Sequence, residues 1–166
     1  MPGKVEPVTL SQLLDLFPGR HRIEPRPSSW STGPDDLEHG NPYPLWKSSD
    51  NVVHQLQWQH LQIVIELVRK AVEIATTDEA KHHAQVARET LDRALHSDQF
   101  WWASRRPMWE PNIVNRGLME QREAILNAYK ALRVSDQSED AKREDYYRYI
   151  SARDLREKIT DQLFMF

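Results

Sequence analysis

The sequence predicts an all-α protein, an up-down bundle of three to four antiparallel helices with a Pro-rich extended N-terminal arm. Two observations lead to this fold class. Eight of the ten prolines and four of the five glycines precede residue 45, and both residue types interrupt helices. The remaining chain carries apolar residues at helical spacing and no strand-forming run. We therefore divide the chain into an arm, residues 1–47, and a helical bundle, residues 48–166.

The arm contains one short predicted helix. Thr9 or Ser11 caps a turn that Pro18-Gly19 ends. Its apolar residues are Leu10, Leu13, Leu14 and Phe17. The chain from Ile23 to Trp46 has no sustained helix or strand period. We expect it to lie along another part of the protein.

Two helices are predicted in the first half of the bundle. The first has Ser49 or Asp50 as its cap and stops at Thr76-Thr77. The second opens with a capping box formed by Thr76 and Glu79. Their apolar stripes comprise Val53, Leu56, Ile63, Leu67, Val68, Ala71 and Ile74 in the first helix and Ala80, Ala84, Ala87, Leu91 and Leu95 in the second. Small residues on the second stripe permit close packing.

Two further helices complete the predicted bundle. One begins at Pro111, a favourable first-turn residue, and the other follows the polar turn from Ser135 to Asp140. Their stripes are Val114, Leu118, Ile125, Ala128 and Leu132, with Gln121 as a polar break, and then Tyr146, Tyr149, Ile150, Leu155, Ile159, Leu163 and Phe166. Short connections between long helices favour antiparallel neighbours.

Composition narrows the possible functions. Hydrophobic residues make up 39% and charged residues 28% of the chain, which suits a folded domain. A formal net charge of -3 provides no basic field for nucleic acid or an anionic membrane. The chain has no Cys, which excludes disulfides, thiolate catalysis and Cys-based metal sites. No apolar stretch reaches signal-peptide or membrane-spanning length. We expect a cytoplasmic location, no cofactor and no nucleic-acid or membrane partner.

The titratable residues do not predict a self-sufficient catalytic or metal site. His82 and His83 are adjacent and therefore point to different faces of a helix, and His54 has no second ligand four residues on. The acidic residues that could form a catalytic pair are Asp35, Asp36, Glu38, Glu139 and Asp140. They fall in polar turns, where we expect them to be solvated with no difference in pKa between them. The chain is therefore not expected to be an enzyme on its own.

The segment between the second and third bundle helices departs most from average composition. Residues 95–111 contain three Trp residues together with Phe100, Arg105 and Arg106. The indoles could form a platform for sugar rings, with hydrogen bonds from the two arginines, Asp98 and His96, or they could close the end of the bundle as core. In an extended chain, the side chains of Trp101 and Trp102 would point to opposite sides, which predicts that one is exposed.

Three segments, read in order, resemble the helical region that follows the catalytic barrel in glycoside hydrolase family 57, the α-glucan-acting amylases, branching enzymes and glucanotransferases. Residues 9–14, Thr-Leu-Ser-Gln-Leu-Leu, are similar to a family turn that leads into a Gly-Ser-Trp motif, here Ser28-Ser29-Trp30. Trp46, Asp50-Asn51, His54 and Trp58 are similar to a Trp-x-Asn segment that opens a long helix. Residues 94–102, Ala-Leu-His-Ser-Asp-Gln-Phe-Trp-Trp, resemble the family motif Ala-x-x-Ser-Asp-Trp-x-Phe.

The resemblance implies a wall of a sugar cleft. In the family, this helical region folds against the barrel, and the barrel supplies the catalytic Glu and Asp. These 166 residues include no barrel, and two positions depart from the motifs, Ser28 for Gly and Gln99 for Trp. The resemblance places Trp30, Ser97, Asp98, Phe100 and Trp101 in the wall, and Trp46, Trp102 and Arg105 complete the candidate carbohydrate-binding residues.

Two hypotheses follow. The first is a non-catalytic, carbohydrate-associated helical domain that binds an α-glucan or oligosaccharide and acts with a catalytic barrel in cis or in trans. The second is a helical protein–protein interaction module with an aromatic docking patch, because Trp and Arg are preferred at the centres of interfaces.

Overall fold

A computed structural model describes residues 5–19, 21–22 and 24–165, and every regular element in them is a helix. The all-α prediction is confirmed. The helices in this part of the chain are α1 (Leu10–Leu16), α2 (Pro34–Glu38), α3 (Val52–Ile74), α4 (Asp78–Ala94), α5 (Asp98–Trp101), α6 (Pro111–Val134) and α7 (Glu139–Phe164). Residues 1–4, Ile23 and Phe166, which belong to segments or stripes predicted above, lie outside the described residues.

The four long helices pack around a shared core. α3 and α6 each contact the other three long helices. On α4, the small residues Ala80, Ala84 and Ala87 are buried, which lets the backbone of α4 approach its neighbours closely. The predicted stripes hold for most positions, but Leu95 and Tyr146 are each 44% exposed. Leu95 follows the last residue of α4, so the helical register no longer places it on the buried face.

Two of the predicted helix caps are wrong by one or two residues. Asn51, and neither Ser49 nor Asp50, caps α3 by accepting hydrogen bonds from the first-turn amides. Thr77 replaces Thr76 as the cap of α4 and accepts from Ala80 N at 3.1 Å. Asn51 is selected by a tertiary contact, because its Nδ2 also donates to the Ala103 carbonyl at 2.7 Å. The start of α1 after Thr9 and of α6 at Pro111 is as predicted.

The arm has two different parts. α1 makes a complete capping box at Thr9, yet it buries no residue. Further along, the arm packs against the bundle, where Leu45 is 5% exposed and Trp46 contacts the main core cluster. Between these parts lies α2, which the sequence analysis did not predict because its five residues are too few to show a periodic pattern.

Candidate functional site

The connection between α4 and α6 is held in place by a row of polar side chains on one face of α3. Asn51, His54 and Gln57 recur every third residue and each donates a hydrogen bond to a carbonyl of the connection. The bonds run from Asn51 Nδ2 to Ala103 (2.7 Å), from His54 Nε2 to Phe100 (2.9 Å) and from Gln57 Nε2 to Gln99 (3.0 Å). Regular spacing on a rigid helix thereby fixes the path of a segment that has little regular structure of its own.

Gln99 extends this polar row into α6. Its Nε2 donates to the carbonyls of Ala94 at 2.8 Å and His96 at 3.1 Å. Its Oε1 accepts from Gln121 Nε2 at 2.7 Å, and Gln121 Oε1 lies 2.7 Å from His60 Nδ1. The polar break in the third predicted stripe is therefore one member of a buried network. Most of the polar side-chain groups that the network buries have a protein partner, as burial requires, but Gln57 Oε1 is buried without a hydrogen-bond partner among the described residues.

Both histidines of this network are neutral near pH 7. Burial lowers the pKa of His54, and burial lowers the pKa of His60 to about 4. The backbone N–H of Ser48 donates to His54 Nδ1 at 3.2 Å, so the proton of the neutral ring is on Nε2, which donates to Phe100. The network can thus hold the connection without a buried charge.

Five aromatic residues, which we call the aromatic wall, gather beside the connection: Trp30, Trp46, Trp58, Phe100 and Trp101. Trp30 makes edge contacts with Trp46 and Trp101, with ring centroids 5.8 and 6.4 Å apart. Trp58 stacks on Phe100 at 4.9 Å with an interplanar angle of 22°. Trp58 Nε1 also donates to the Trp46 carbonyl at 2.8 Å. The wall joins the arm, α3 and the connection in one surface.

An open pocket of about 510 Å³ adjoins the aromatic wall. Its lining residues are Tyr43, Trp46, Lys47, Trp58, Leu61, Ile65, Leu95, Ser97 and Phe100. Among the described residues of this lining, Lys47 is the one charged residue, and Ser97 is the one residue with an aliphatic hydroxyl group. Lys47 Nζ is 5.3 Å from the centroid of the Trp58 ring, a cation–π contact. The pocket is therefore mainly aromatic and aliphatic, with few polar groups in its lining.

The predicted site residues divide between this pocket and other places. Trp46, Ser97 and Phe100 line the pocket, and Trp30 and Trp101 stand next to it in the wall. Trp102, Asp98 and Arg105 are not among the lining residues. Trp102 packs against a core cluster that includes Val53, Leu118 and Ile159. Asp98 is exposed at the start of α5, and the Arg105 guanidinium lies 4.3 Å from the Trp109 ring centroid.

Some pocket residues were absent from the sequence-based set. Tyr43 and Lys47 belong to the arm, and Leu61, Ile65 and Leu95 were interpreted as core or left unassigned. Trp58 had a signal in the sequence, because it belongs to the second segment of the resemblance. The other lining residues share one pocket because the arm lies against α3 at Trp46 and Trp58.

The prediction that either Trp101 or Trp102 is exposed is wrong, because both side chains are half-buried. The prediction assumed an extended chain. Residues 98–101 form α5 instead, and Trp102 continues in a helical conformation. Successive side chains on a helix are separated by about 100°, so Trp101 reaches the wall while Trp102 reaches the neighbouring core cluster.

The prediction that Asp36 is solvated is also wrong. Asp36 is 6% exposed, and its carboxylate accepts a hydrogen bond from Arg106 and another from the Gly33 backbone. The hydrogen bond from Arg106 holds the pKa of Asp36 below its usual value. An ion-paired carboxylate with a lowered pKa is unsuited to donate a proton as a general acid. The role of Asp36 is structural, because its ion pair with Arg106 links α2 to the connection.

Neither a metal-binding cluster nor a membrane-spanning helix is found among the described residues. Among residues 5–19, 21–22 and 24–165, no three His, Asp or Glu side chains form a group that could hold a metal ion. Over the same ranges, no helix combines the length and apolar character needed to cross a membrane. The chain as a whole matches no known family model, no curated protein and no solved structure.

Proposed function

We propose that the chain is a non-catalytic, carbohydrate-associated helical domain whose aromatic wall and adjoining pocket contact an α-glucan. It acts with a catalytic barrel that these 166 residues do not include, in cis or in trans. In this proposal the four long helices form an up-down bundle, and the Pro-rich arm is laid against it.

One observation carries the proposal. The three segments that resemble the helical region of family 57 are far apart in the sequence, and they meet at the aromatic wall. Trp30 comes from the first segment, Trp46 and Trp58 from the second, and Phe100 and Trp101 from the third. A chance match of short motifs would not require their aromatic residues to share one surface.

The chemistry of the pocket supports a sugar ligand of limited size. Flat aromatic faces stack on the apolar face of a pyranose ring, and the pocket volume of about 510 Å³ is in the range of small-molecule sites. Lys47, Ser97 and the Tyr43 hydroxyl supply hydrogen-bonding groups to the lining. Because these are few, the expected affinity is weak, with a dissociation constant of about 1 mM.

Titration of maltoheptaose into the purified chain tests the proposal by calorimetry and by tryptophan fluorescence. We expect saturable, weak binding that Trp101→Ala removes and Trp30→Ala weakens several-fold. Trp30 is 78% exposed, so its removal should leave the helical circular dichroism and the melting temperature unchanged. Tyr147→Ala is the matched control, since this aromatic residue is 61% exposed on α7 outside the wall. Absence of any response to the sugar would count against the proposal.

The same composition supports a second candidate, a protein–protein interaction module. The pocket has few polar lining residues, and Trp30 stands 78% exposed beside it. An exposed Trp next to an apolar recess is typical of interface hot spots. This candidate predicts no response to maltoheptaose, together with self-association or partner binding that Trp30→Ala abolishes, as sedimentation velocity would show.

Neither candidate assigns catalysis to this chain. We expect no hydrolysis or transfer of α-glucans by the purified protein at any pH, because none of the described residues that line the pocket is Asp or Glu. Turnover that disappears on substitution of a single Asp or Glu would contradict this expectation.

A further inference from the structure

A second recess lies where α3, α6 and α7 meet, and it shares no lining residue with the pocket beside the aromatic wall. Its volume is about 100 Å³. The lining residues are His60 from α3, Arg122 and Ile125 from α6, and Tyr149, Arg153 and Arg156 from α7. Half of these residues are arginines, and none is acidic.

The positive charge of this recess is only partly neutralised. Arg153 pairs with Asp154 at 3.2 Å and Arg156 pairs with Glu157 at 2.5 Å, in each case with the next residue along α7. Arg122 forms no ion pair or hydrogen bond with any residue in the described part of the chain. At least one cationic charge is therefore left over where like charges already repel one another.

Two of the lining groups are not fully exposed, His60 being buried and Arg156 half-buried. His60 is 1% exposed, and the hydrogen bond between its Nδ1 and Gln121 fixes its ring. The side chain of Arg156 is 21% exposed, so its guanidinium is held against the helices. Exposed Arg122 and half-exposed Arg153 then complete the rim.

Size and charge together select the ligand. A volume of about 100 Å³ suits one small oxyanion and is below the range of about 300–1,000 Å³ typical of pockets for drug-sized ligands. Arginine forks bind phosphate oxygens in a bidentate manner. We propose that this recess is a binding site for a phosphate-type oxyanion, either inorganic phosphate or the phosphoryl group of a larger molecule.

The inference is independent of the proposed function, since it involves a different set of residues. It is tested with the full chain by calorimetric titration of sodium phosphate at pH 7, with chloride holding the ionic strength constant. We expect a dissociation constant of about 1 mM or below, and a phosphate-dependent rise in melting temperature that chloride does not reproduce.

Arg122→Gln is the decisive variant. We expect it to weaken phosphate binding at least about tenfold while leaving the melting temperature without phosphate unchanged, because Arg122 is exposed and forms no ion pair or hydrogen bond with the described residues. Arg116→Gln is the matched control on the same helix, with a side chain that is 78% exposed and that pairs with Glu120 at 3.5 Å. Arg153→Gln provides a second variant at the rim and should also weaken binding.

The remaining outcomes decide the ligand and the proposal. Tighter binding of O-phosphoserine than of inorganic phosphate would identify a phosphoryl group on a larger molecule, and equal or weaker binding would identify the free ion. Acetate that binds as tightly as phosphate would overturn the assignment to a phosphate-type anion. The site itself would be overturned if phosphate did not bind, if Arg122→Gln bound it as wild type does, or if Arg116→Gln lost binding equally.

Discussion

Gln99 lies directly against Gly117 of α6. A Cβ atom at position 117 would be 2.3 Å from Gln99 Oε1, 2.8 Å from its Cδ and 2.9 Å from its Cβ. Gln99 is fully buried, and hydrogen bonds hold both ends of its amide, so it has no open space into which to turn. The glycine, which is unfavourable inside a helix, is present because the connection crosses α6 at this residue.

Gly117→Ala is therefore expected to destabilise the fold by about 1–3 kcal/mol, as overpacking does, even though Ala is the better helix former. Urea unfolding followed by circular dichroism measures the change. Gly19→Ala is the control, because nothing lies within 4 Å of a Cβ at that position, and it should be near neutral. A Gly117→Ala protein as stable as wild type would show that Gln99 can move.

Stability is expected to decrease as the pH falls from about 6.5 to about 4. Burial lowers the pKa of His60 to about 4 in the folded state, whereas the unfolded chain binds this proton near the ordinary value of 6.5. Between these values the unfolded state carries more protons, so acid favours unfolding, by up to about 3 kcal/mol for this residue. The pKa of His54 is lowered too and contributes in the same direction.

Urea unfolding at pH 7.5, 5.5 and 4.5 checks this dependence. His60→Gln should keep a hydrogen bond to Gln121 while removing the titrating group, so its stability should fall less between pH 7.5 and 4.5. An identical decrease in the variant and in wild type would assign the acid sensitivity to other groups.

Leu91→Asp should unfold the domain or destabilise it by about 4 kcal/mol or more, because it buries a charge without a partner. Leu91 is 3% exposed in the main core cluster. Leu95→Asp is the control four residues on, and it should cost little since Leu95 is 44% exposed. Melting temperatures of the two variants provide the comparison, and a normal value for Leu91→Asp would mean that α4 packs in another register.

Lys70→Ala is expected to destabilise the fold by about 3 kcal/mol. Asp145 is 1% exposed and accepts hydrogen bonds from Lys70 Nζ at 2.7 Å and from Gln137 Nε2 at 2.9 Å, so loss of the lysine leaves a buried carboxylate without its cation. Arg69→Ala removes a neighbouring cation whose pair with Glu73 is largely exposed, and it should change stability by less than about 1 kcal/mol. Equal effects of the two substitutions in urea unfolding would contradict the buried-pair interpretation.

The positions of the helices could be predicted because their signals are local. Most prolines and glycines precede Val52, where the first long helix begins. Thr9 and Pro111 marked helix starts, because a cap or a first-turn proline acts on backbone groups only a few residues away. The errors at Asn51 and Thr77 have the same origin. Several neighbouring residues could serve as caps. Asn51 is favoured at the start of α3 because it also donates a hydrogen bond to Ala103, 52 residues away.

The candidate site was predicted only in part for a related reason. Local composition indicated the importance of Trp101 and Trp102, but it could not separate them, because the one-turn helix α5 forms where the row on α3 holds the connection. The sequence around Asp36 similarly indicates a solvated turn. Its carboxylate is buried because it accepts a hydrogen bond from Arg106, which lies 70 residues later in the chain.

The sequence by itself determined the all-α class, the positions of the long helices and most of the buried stripes, because hydrophobic periodicity and chain-breaking residues act over one or two turns. Only the tertiary structure decided which aromatic residues gather in the wall, where Phe100 is also a buried member of the main core cluster, and which polar residues are buried. His54 and Gln57 can be buried on α3 because the Phe100 and Gln99 carbonyls, 46 and 42 residues away, accept their hydrogen bonds. Such partners are set by how the chain folds back on itself, and no local pattern in the sequence encodes them.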